Sequence, residues 1–325
     1  MLIQYHREAD RLVDGVKGIA GVQPVWLDLV DPTRDEERLV ERLLSLALPT
    51  RGEMQEIEVS ARLYQANGAE FMTVTVVNAL DSDDPSVTPI TFVLKGETLV
   101  TVRFKDQEMF TAFVARAGKA NEVACATGEQ VMLGLLEALS DRMADALERV
   151  AVEIDQISRE VFRKKPSSGA AAQSRDLEGM IEQIGRNGDL LTKLRESLIT
   201  THRMLTYHPS ANQSDKASRD TRSKLKVQYR DIVGLMDQAT FLSGKINFLL
   251  DATLGLINLQ QNQIIKIFSV AAVVFLPPTL IASIYGMNFA YMPELKWLGG
   301  YPAALVLMII SAVLPYWYFK HRGWL

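Results

Sequence analysis

Hydrophobicity in this chain is stored at one end. Ile267 to Tyr285 and Tyr301 to Phe319 are each 19 residues long without a charged side chain. As a helix, a run of that length spans roughly 30 Å, the thickness of a bilayer core. Only a short segment joins the two, so the pattern predicts a membrane hairpin. A pair of buried core helices is the competing reading, but a soluble core seldom needs two adjacent charge-free runs this long. Lys266 precedes the first run, and Lys320, His321 and Arg322 follow the second, whereas the connecting loop carries Lys296 offset by Glu294. By the positive-inside rule both termini are expected in the cytoplasm. Pro277 and Pro278 sit inside the first run and remove two backbone donors, a loss that a membrane helix tolerates where neighbours or water compensate.

Upstream the periodicity changes. Val25 to Asp31 alternates as a strand and runs into Pro32-Thr33, a helix-start signal, after which Leu39, Leu43, Leu44 and Leu46 predict a helix. Two hairpins follow: Ile57 to Gln65 and Glu70 to Leu80 flank Asn67-Gly68, and Pro89 to Leu94 and Thr98 to Phe104 flank Lys95-Gly96. The expectation is an α+β domain ending near Val123. Beyond Thr127 apolar residues recur every three or four positions through Leu133, Leu136, Leu139, Met143, Leu147, Val150 and Ile154, the signature of a long helix. Lys164 to Gln173 and His208 to Ser218 read as breaks, giving an antiparallel helical hairpin. From about Ser218 the seam Leu242, Ile246, Leu249, Thr253, Leu256 and Gln260 favours helix association and leads without a turn signal into the first span, so stalk and span are expected to be one helix.

Composition hides this segregation. The 325 residues are 48% hydrophobic and 23% charged, and the mean hydropathy of +0.04 looks like that of a soluble protein. Thirty-five basic against 39 acidic residues give a net charge of −4, which removes the electrostatic argument for a nucleic-acid partner. Cys125 is the single cysteine and cannot form an intrachain disulfide, consistent with a reducing compartment. Met1 to Asp10 carries no apolar stretch, so no secretory signal is expected. Phosphate loops, HExxH and GxSxG elbows are all missing, which argues against an enzyme. His202 and His208, six residues apart, fit a solvated helix and its exit turn better than a zinc site.

The loop between the spans reads YGMNFAYMPELKW. Its Gly286-Met287-Asn288 and Met292-Pro293-Glu294-Leu295, the following Gly-Tyr-Pro, and the basic, tryptophan-containing C-terminus resemble the signature of the CorA family of divalent-cation channels. Leu48 to Tyr64 (LPTRGEMQEIEVSARLY) is more weakly similar to proteobacterial members, and Ala290 departs from the acidic residue that many members carry after the Asn-Phe pair.

The resemblance implies a multi-domain membrane protein: an N-terminal α+β (α/β/α layered) cytosolic domain over 1–125, a helical hairpin and long stalk over 126–265, and two transmembrane helices over 266–325. It further implies a homopentamer in the inner membrane, in contact with lipid, that passes divalent cations and needs no organic cofactor. Mg²⁺ sheds water reluctantly, so a first selectivity site should offer oxygen acceptors to the hydrated ion. Five copies of Asn288 around one axis would form such a ring, with Gly286 permitting close backbone approach and Met287 packing rather than ligating.

Asn262, Ile265, Ala272, Leu276 and Thr279 recur at helical spacing and are the expected pore lining, with Leu276, the neighbouring Phe268 and Ile265 able to form an apolar constriction. Ordinary helix packing explains the same spacing. Glu294 either attracts cations at the mouth or stabilises the loop with Lys296. Asp251, alone in the uncharged stretch from Ile246 to Ile265, matches a family stalk position where an acid meets a neighbouring domain's acid and bound Mg²⁺ favours closure. Glu53 or Glu56 is the expected partner, and a solvated carboxylate is the alternative for each. The competing functions are a zinc transporter of the same superfamily and a membrane-anchored coiled-coil receptor or scaffold that conducts nothing.

Overall fold

The computed structural model describes the chain except for residues 9–10, 16–22, 81, 83, 120–122, 124, 163–169, 212–218, 289–291, 294–296 and 324–325. It divides into two compact units, one of residues 1–167 and 178–250, the other of residues 168–177 and 251–325.

In the first unit, strands β1 (Leu2–Glu8), β2 (Arg11–Asp14) and β3 (Trp26–Val30) lead into helices α1 (Arg34–Leu44), α2 (Arg51–Gln55) and α3 (Val59–Arg62). Strands β4 (Leu63–Ala66), β5 (Ala69–Asn78), β6 (Ser86–Lys95) and β7 (Thr98–Arg103) follow, then helices α4 (Glu108–Ala117), α5 (Gly128–Phe162) and α6 (Ala170–Ala211), whose first residues, up to 177, belong to the second unit. Among the described residues the strands form one sheet in the order β2-β1-β3-β7-β6-β5-β4. Every neighbouring pair is antiparallel except β3 with β7, where Asp28 lies opposite Thr101 and Val30 opposite Arg103.

Alternation along the strands divides the core into two layers. Leu27, Leu29, Phe71, Val93, Val100 and Val102 pack with Val40 of α1 and Met54 of α2 on one face. The opposite face carries Trp26, which stacks on Tyr5 at 4.3 Å and on Phe110 of α4 at 6.0 Å, and α5 packs against β6 and β7. Helices therefore cover both sides, an α/β/α arrangement. Each fully buried aromatic contributes about 2–3 kcal/mol of transfer free energy. Gly128 starts α5 against the β6–β7 turn, where a Cβ would lie 2.3 Å from the backbone nitrogen of Leu99. Only glycine lets the helix approach the strand so closely.

Local signals place the helix starts and turns. Thr33 caps α1 and Thr50 caps α2, each in a reciprocal box with the Glu three residues on. Asn67 (φ 50°) and Gly68 (φ 70°) make the two-residue β4–β5 turn, matching the left-handed pair that a twisted hairpin requires. The seven apolar positions predicted for the helix after Thr127 are all buried along α5.

Four expectations change. Strands β1 and β2, which extend the sheet beyond β3, are additional to the expected elements. Residues 57–62 are not strand: Val59–Arg62 is a helical turn and Ile57 is 84% exposed. The edge that they would pair with is taken, because the Thr75 amide donates to Thr200 Oγ1 of α6 at 3.0 Å and the Thr75 hydroxyl accepts from Arg62. Leu39 and Leu43 face outward while Val40 carries the buried side of α1. His208 does not open a loop, since α6 continues to Ala211. It is 2% exposed, with Nδ1 2.7 Å from Glu70 Oε2 of β5 and Nε2 3.0 Å from Glu129 Oε1 of α5. Burial opposes the imidazolium, but the hydrogen bonds and charges of the two carboxylates outweigh it and push the pKa up to about 9.

A second buried charge network ties the central strands together. Asp28, 1% exposed, receives Arg103 through Nε and Nη2 and accepts from the Thr101 hydroxyl at 2.7 Å, while the Trp26 indole donates to Thr101 Oγ1 at 2.9 Å. Such a fork satisfies both charges inside the sheet, where either alone would be costly.

Helix α7 (Arg219–Tyr285) contributes residues to both units, and α8 (Gly300–His321) closes the chain. Within the first unit α7 is paired to α5 through Lys245 and Asp155. The seam residues Leu242, Ile246, Leu249 and Thr253 are buried along α7.

Candidate functional site

In the second unit α7 and α8 are long and apolar enough to cross a membrane. Their apolar side chains are mostly exposed, as at Phe268 (71%), Phe275 and Leu276. A core helix of a soluble protein would bury them. Here the lipid phase, or another copy of the chain, is the missing cover.

Asn262, Ile265, Phe268, Ala272, Leu276 and Thr279 all lie on α7, and all are exposed. At 100° per residue they fall within an arc of about 120°, so they form one continuous stripe. No charged side chain follows Lys266 on this helix. Thr279 Oγ donates to the Phe275 carbonyl at 2.7 Å, leaving the hydroxyl oxygen's lone pairs on the stripe as acceptors. Helical backbone continues through Pro277 and Pro278, so the carbonyls of Val273 and Val274 lose their usual i+4 donors. These are oxygen atoms that a polar lining can use.

The stripe ends at the turn that stops α7. The Gly286 amide donates to the Ala282 carbonyl at 2.9 Å and the Met287 amide to Ile284 at 3.3 Å. A Cβ on Gly286 would stand 3.1 Å from the Ala282 oxygen, so glycine fits this last turn without displacing it. Asn288 follows immediately, exposed, and its carboxamide makes no hydrogen bond among the described residues. Glu294 lies outside the described residues.

A sequence profile described as "CorA-like Mg2+ transporter protein" matches residues 22–321. The magnesium transport protein CorA of Escherichia coli K12 is 33% identical over 304 residues, covering 94% of this chain and 93% of that one. The chain belongs to the CorA family. The magnesium transport protein CorA of Salmonella typhimurium is 32% identical over the full length of both proteins. The complete structure of a CorA magnesium transporter from Methanocaldococcus jannaschii superimposes with a TM-score of 0.76 at 17% identity, covering 100% of this chain and 99% of that one. This CorA chain thus has the family architecture of an N-terminal α/β domain, a long helix and two C-terminal apolar helices.

The remaining sequence candidates of this CorA chain lie apart from that stripe. Asp251 is on the same helix, α7, before the stripe, and exposed, with no hydrogen bond among the described residues. Glu53 is the third residue of α2, and its Oε2 accepts from the Thr50 amide at 2.7 Å and the Thr50 hydroxyl at 2.9 Å. Those bonds hold the carboxyl below its ordinary value, the backbone amide contributing most. Its Oε1 carries no such bond and remains available to a cation. Glu56 ends α2 and is exposed. Among the described residues no three His, Cys, Asp or Glu side chains gather around a common metal position. The sequence missed the buried His208 bridge because Glu70 and Glu129 lie 138 and 79 residues away from it.

Proposed function

We propose that this CorA protein is a homopentameric inner-membrane channel that imports hydrated Mg²⁺ down the membrane potential, with Co²⁺ and Ni²⁺ as lesser cargo. Both termini lie in the cytoplasm. The observation that carries the reading is Asn288: an exposed carboxamide without a hydrogen bond among the described residues, following an exposed, charge-free stripe, in a family described as Mg²⁺ transporters. Five such side chains around one axis present carbonyl oxygens to the water shell of the ion without stripping it. The stripe then alternates oxygen positions, Thr279 and Asn262, with an apolar stretch at Leu276, Phe268 and Ile265 that closes by excluding water. The potential supplies about 4.6 kcal/mol per 100 mV for a doubly charged ion, so no nucleotide site is required.

Closure at high cytosolic Mg²⁺ is the second part of the reading. Asp251 of one subunit and Glu53 or Glu56 of a neighbour repel when empty and are clamped when a divalent ion bridges them, which converts ion occupancy into a gating free energy. Ligands drawn from two subunits are compatible with described residues that gather no three-ligand cluster within one chain. Asp251→Lys should relieve block by internal Mg²⁺ while leaving uptake at low internal Mg²⁺ intact. Unchanged block in a flux assay would remove Asp251 from the sensor.

Reconstitution in liposomes with competing Mg²⁺, Co²⁺, Ni²⁺ and Zn²⁺, with and without internal Mg²⁺, tests the whole reading. Mg²⁺-dominated inward flux that falls with internal Mg²⁺ is expected. Zn²⁺-dominated flux would favour the zinc-transporting alternative, and absence of any flux a scaffold.

A further inference from the structure

The end of the second span is built differently from the rest of the hairpin. Trp317 stacks on His321 with ring centroids 6.0 Å apart, and the Arg322 guanidinium lies 5.6 Å from the Tyr318 ring centre. Each nitrogenous side chain is therefore braced by an aromatic ring one helical turn earlier, with Lys320 beside them. Trp317 and Tyr318 are themselves 66% and 54% exposed, in the zone where indole and phenol rings favour the headgroup boundary. The helix stops at this point: the Arg322 amide donates to Tyr318, the Gly323 amide to Lys320, and Gly323 turns left-handed at φ 69°.

Along the hairpin itself few acidic side chains are available to neutralise this positive end. From residue 252 to 325 the sequence contains one acidic side chain, Glu294, in the loop on the other side of the hairpin. Two consecutive spans return the chain to the side it left, so Lys266 and Lys320 share one leaflet boundary. Asp251 precedes Lys266 by 15 residues, about 22 Å along a helix, more than twice the Debye length of about 8 Å at physiological salt. The helix C-terminus offers about half a negative charge, less than the charge of either Lys320 or Arg322.

We propose that Lys320, His321 and Arg322 bind the phosphate of an anionic phospholipid in the leaflet where α8 ends, with Trp317 and Tyr318 against its glycerol region. The inference rests on the membrane-spanning reading given above. A zwitterionic lipid presents the same phosphate beside a cation and forfeits the net attraction. Each basic side chain near an anionic surface is worth about five-fold in affinity.

The test uses the purified full-length chain in a neutral detergent, titrated with phosphatidylglycerol, phosphatidylcholine or inorganic phosphate while thermal unfolding is followed. Phosphatidylglycerol should raise the unfolding midpoint in a salt-sensitive way, and the other two should not. Lys320→Gln with Arg322→Gln should weaken the phosphatidylglycerol effect about thirty-fold, from two charges, whereas Lys320→Arg with Arg322→Lys should keep it. The charge-preserving pair guards against a variant that merely folds badly. Equal effects of phosphatidylglycerol and phosphatidylcholine, or an undiminished effect in the glutamine pair, overturn the proposal. A matching effect of inorganic phosphate overturns the lipid as its source. Failure of the chain to float with vesicles of either lipid would instead sink the membrane-spanning reading.

Discussion

Asn288→Ala is expected to lower Mg²⁺ flux in liposomes about a hundredfold, with the protein still folded and assembled. The size follows from counting lost contacts. In the proposed five-fold ring each carboxamide oxygen would accept from a water of the hydrated ion, a net gain of about 1 kcal/mol per hydrogen bond, and losing three of these at the entry site would already cost two orders of magnitude. Alanine cannot replace them, since a methyl group offers no lone pair to a shell that Mg²⁺ holds tightly. Fold and stability should be spared because Asn288 is exposed and bonds to nothing else among the described residues. Asn288→Asp separates acceptor geometry from charge: it keeps an oxygen and adds five negative charges, so it should retain binding of Mg²⁺ and slow its release. The measurement is initial uptake rate against external Mg²⁺, with assembly checked by size. Wild-type rates in Asn288→Ala would remove this residue from the selectivity site.

The second large effect concerns stability and lies far from the membrane. His208→Leu should destabilise the α/β domain by about 3 kcal/mol near neutral pH, because it leaves Glu70 and Glu129 without the cation between them. The wild-type domain carries the corresponding pH signature. The imidazolium pKa is raised in the folded chain to about 9 from an ordinary value of 6.5, so the folded state binds its proton more tightly than the unfolded state. The contribution is therefore complete below about pH 6.5 and is lost as pH rises through about 9. Stability curves of wild type and variant should converge above that pH and stay apart at pH 6 to 7. Parallel curves up to pH 10 would show that the bridge does not depend on a protonated histidine. A pH switch at His208 is not expected near neutral pH, because the raised pKa keeps the group charged there.

His208 also marks the boundary of what local pattern can reveal. Six residues from His202, followed by Pro209 and a polar run, it carries the signals of a helix exit. Helix α6 nevertheless runs through it, because two acids from β5 and α5 meet its ring nitrogens. The strand expected over Ile57 to Gln65 fails for a related reason. Its alternation was real, but the β5 edge it needed is held by Thr200 and Arg62, and only Leu63–Ala66 found a partner. Strands β1 and β2 form a local hairpin, Glu8 opposite Arg11, that the sequence expectation did not include, whereas the pairing of β1 with β3, as Leu2 with Leu29, draws on residues well separated along the chain.

The candidate ion path was far more legible. Charge-free length, helical spacing from Asn262 to Thr279 and the loop Gly286-Met287-Asn288 are all local, and each follows from the geometry of a single helix. Hydrophobic period, turn residues and caps likewise announced α1, α5 and both hairpins, since those depend on neighbours within a few positions. What tertiary structure alone decided was which groups share a buried site: Asp28 with Arg103, His208 with two distant carboxylates, Gly128 against the backbone of β7. Pairing charges and closing gaps between residues far apart in the chain depends on where separate elements pack, and no local period along a chain encodes that.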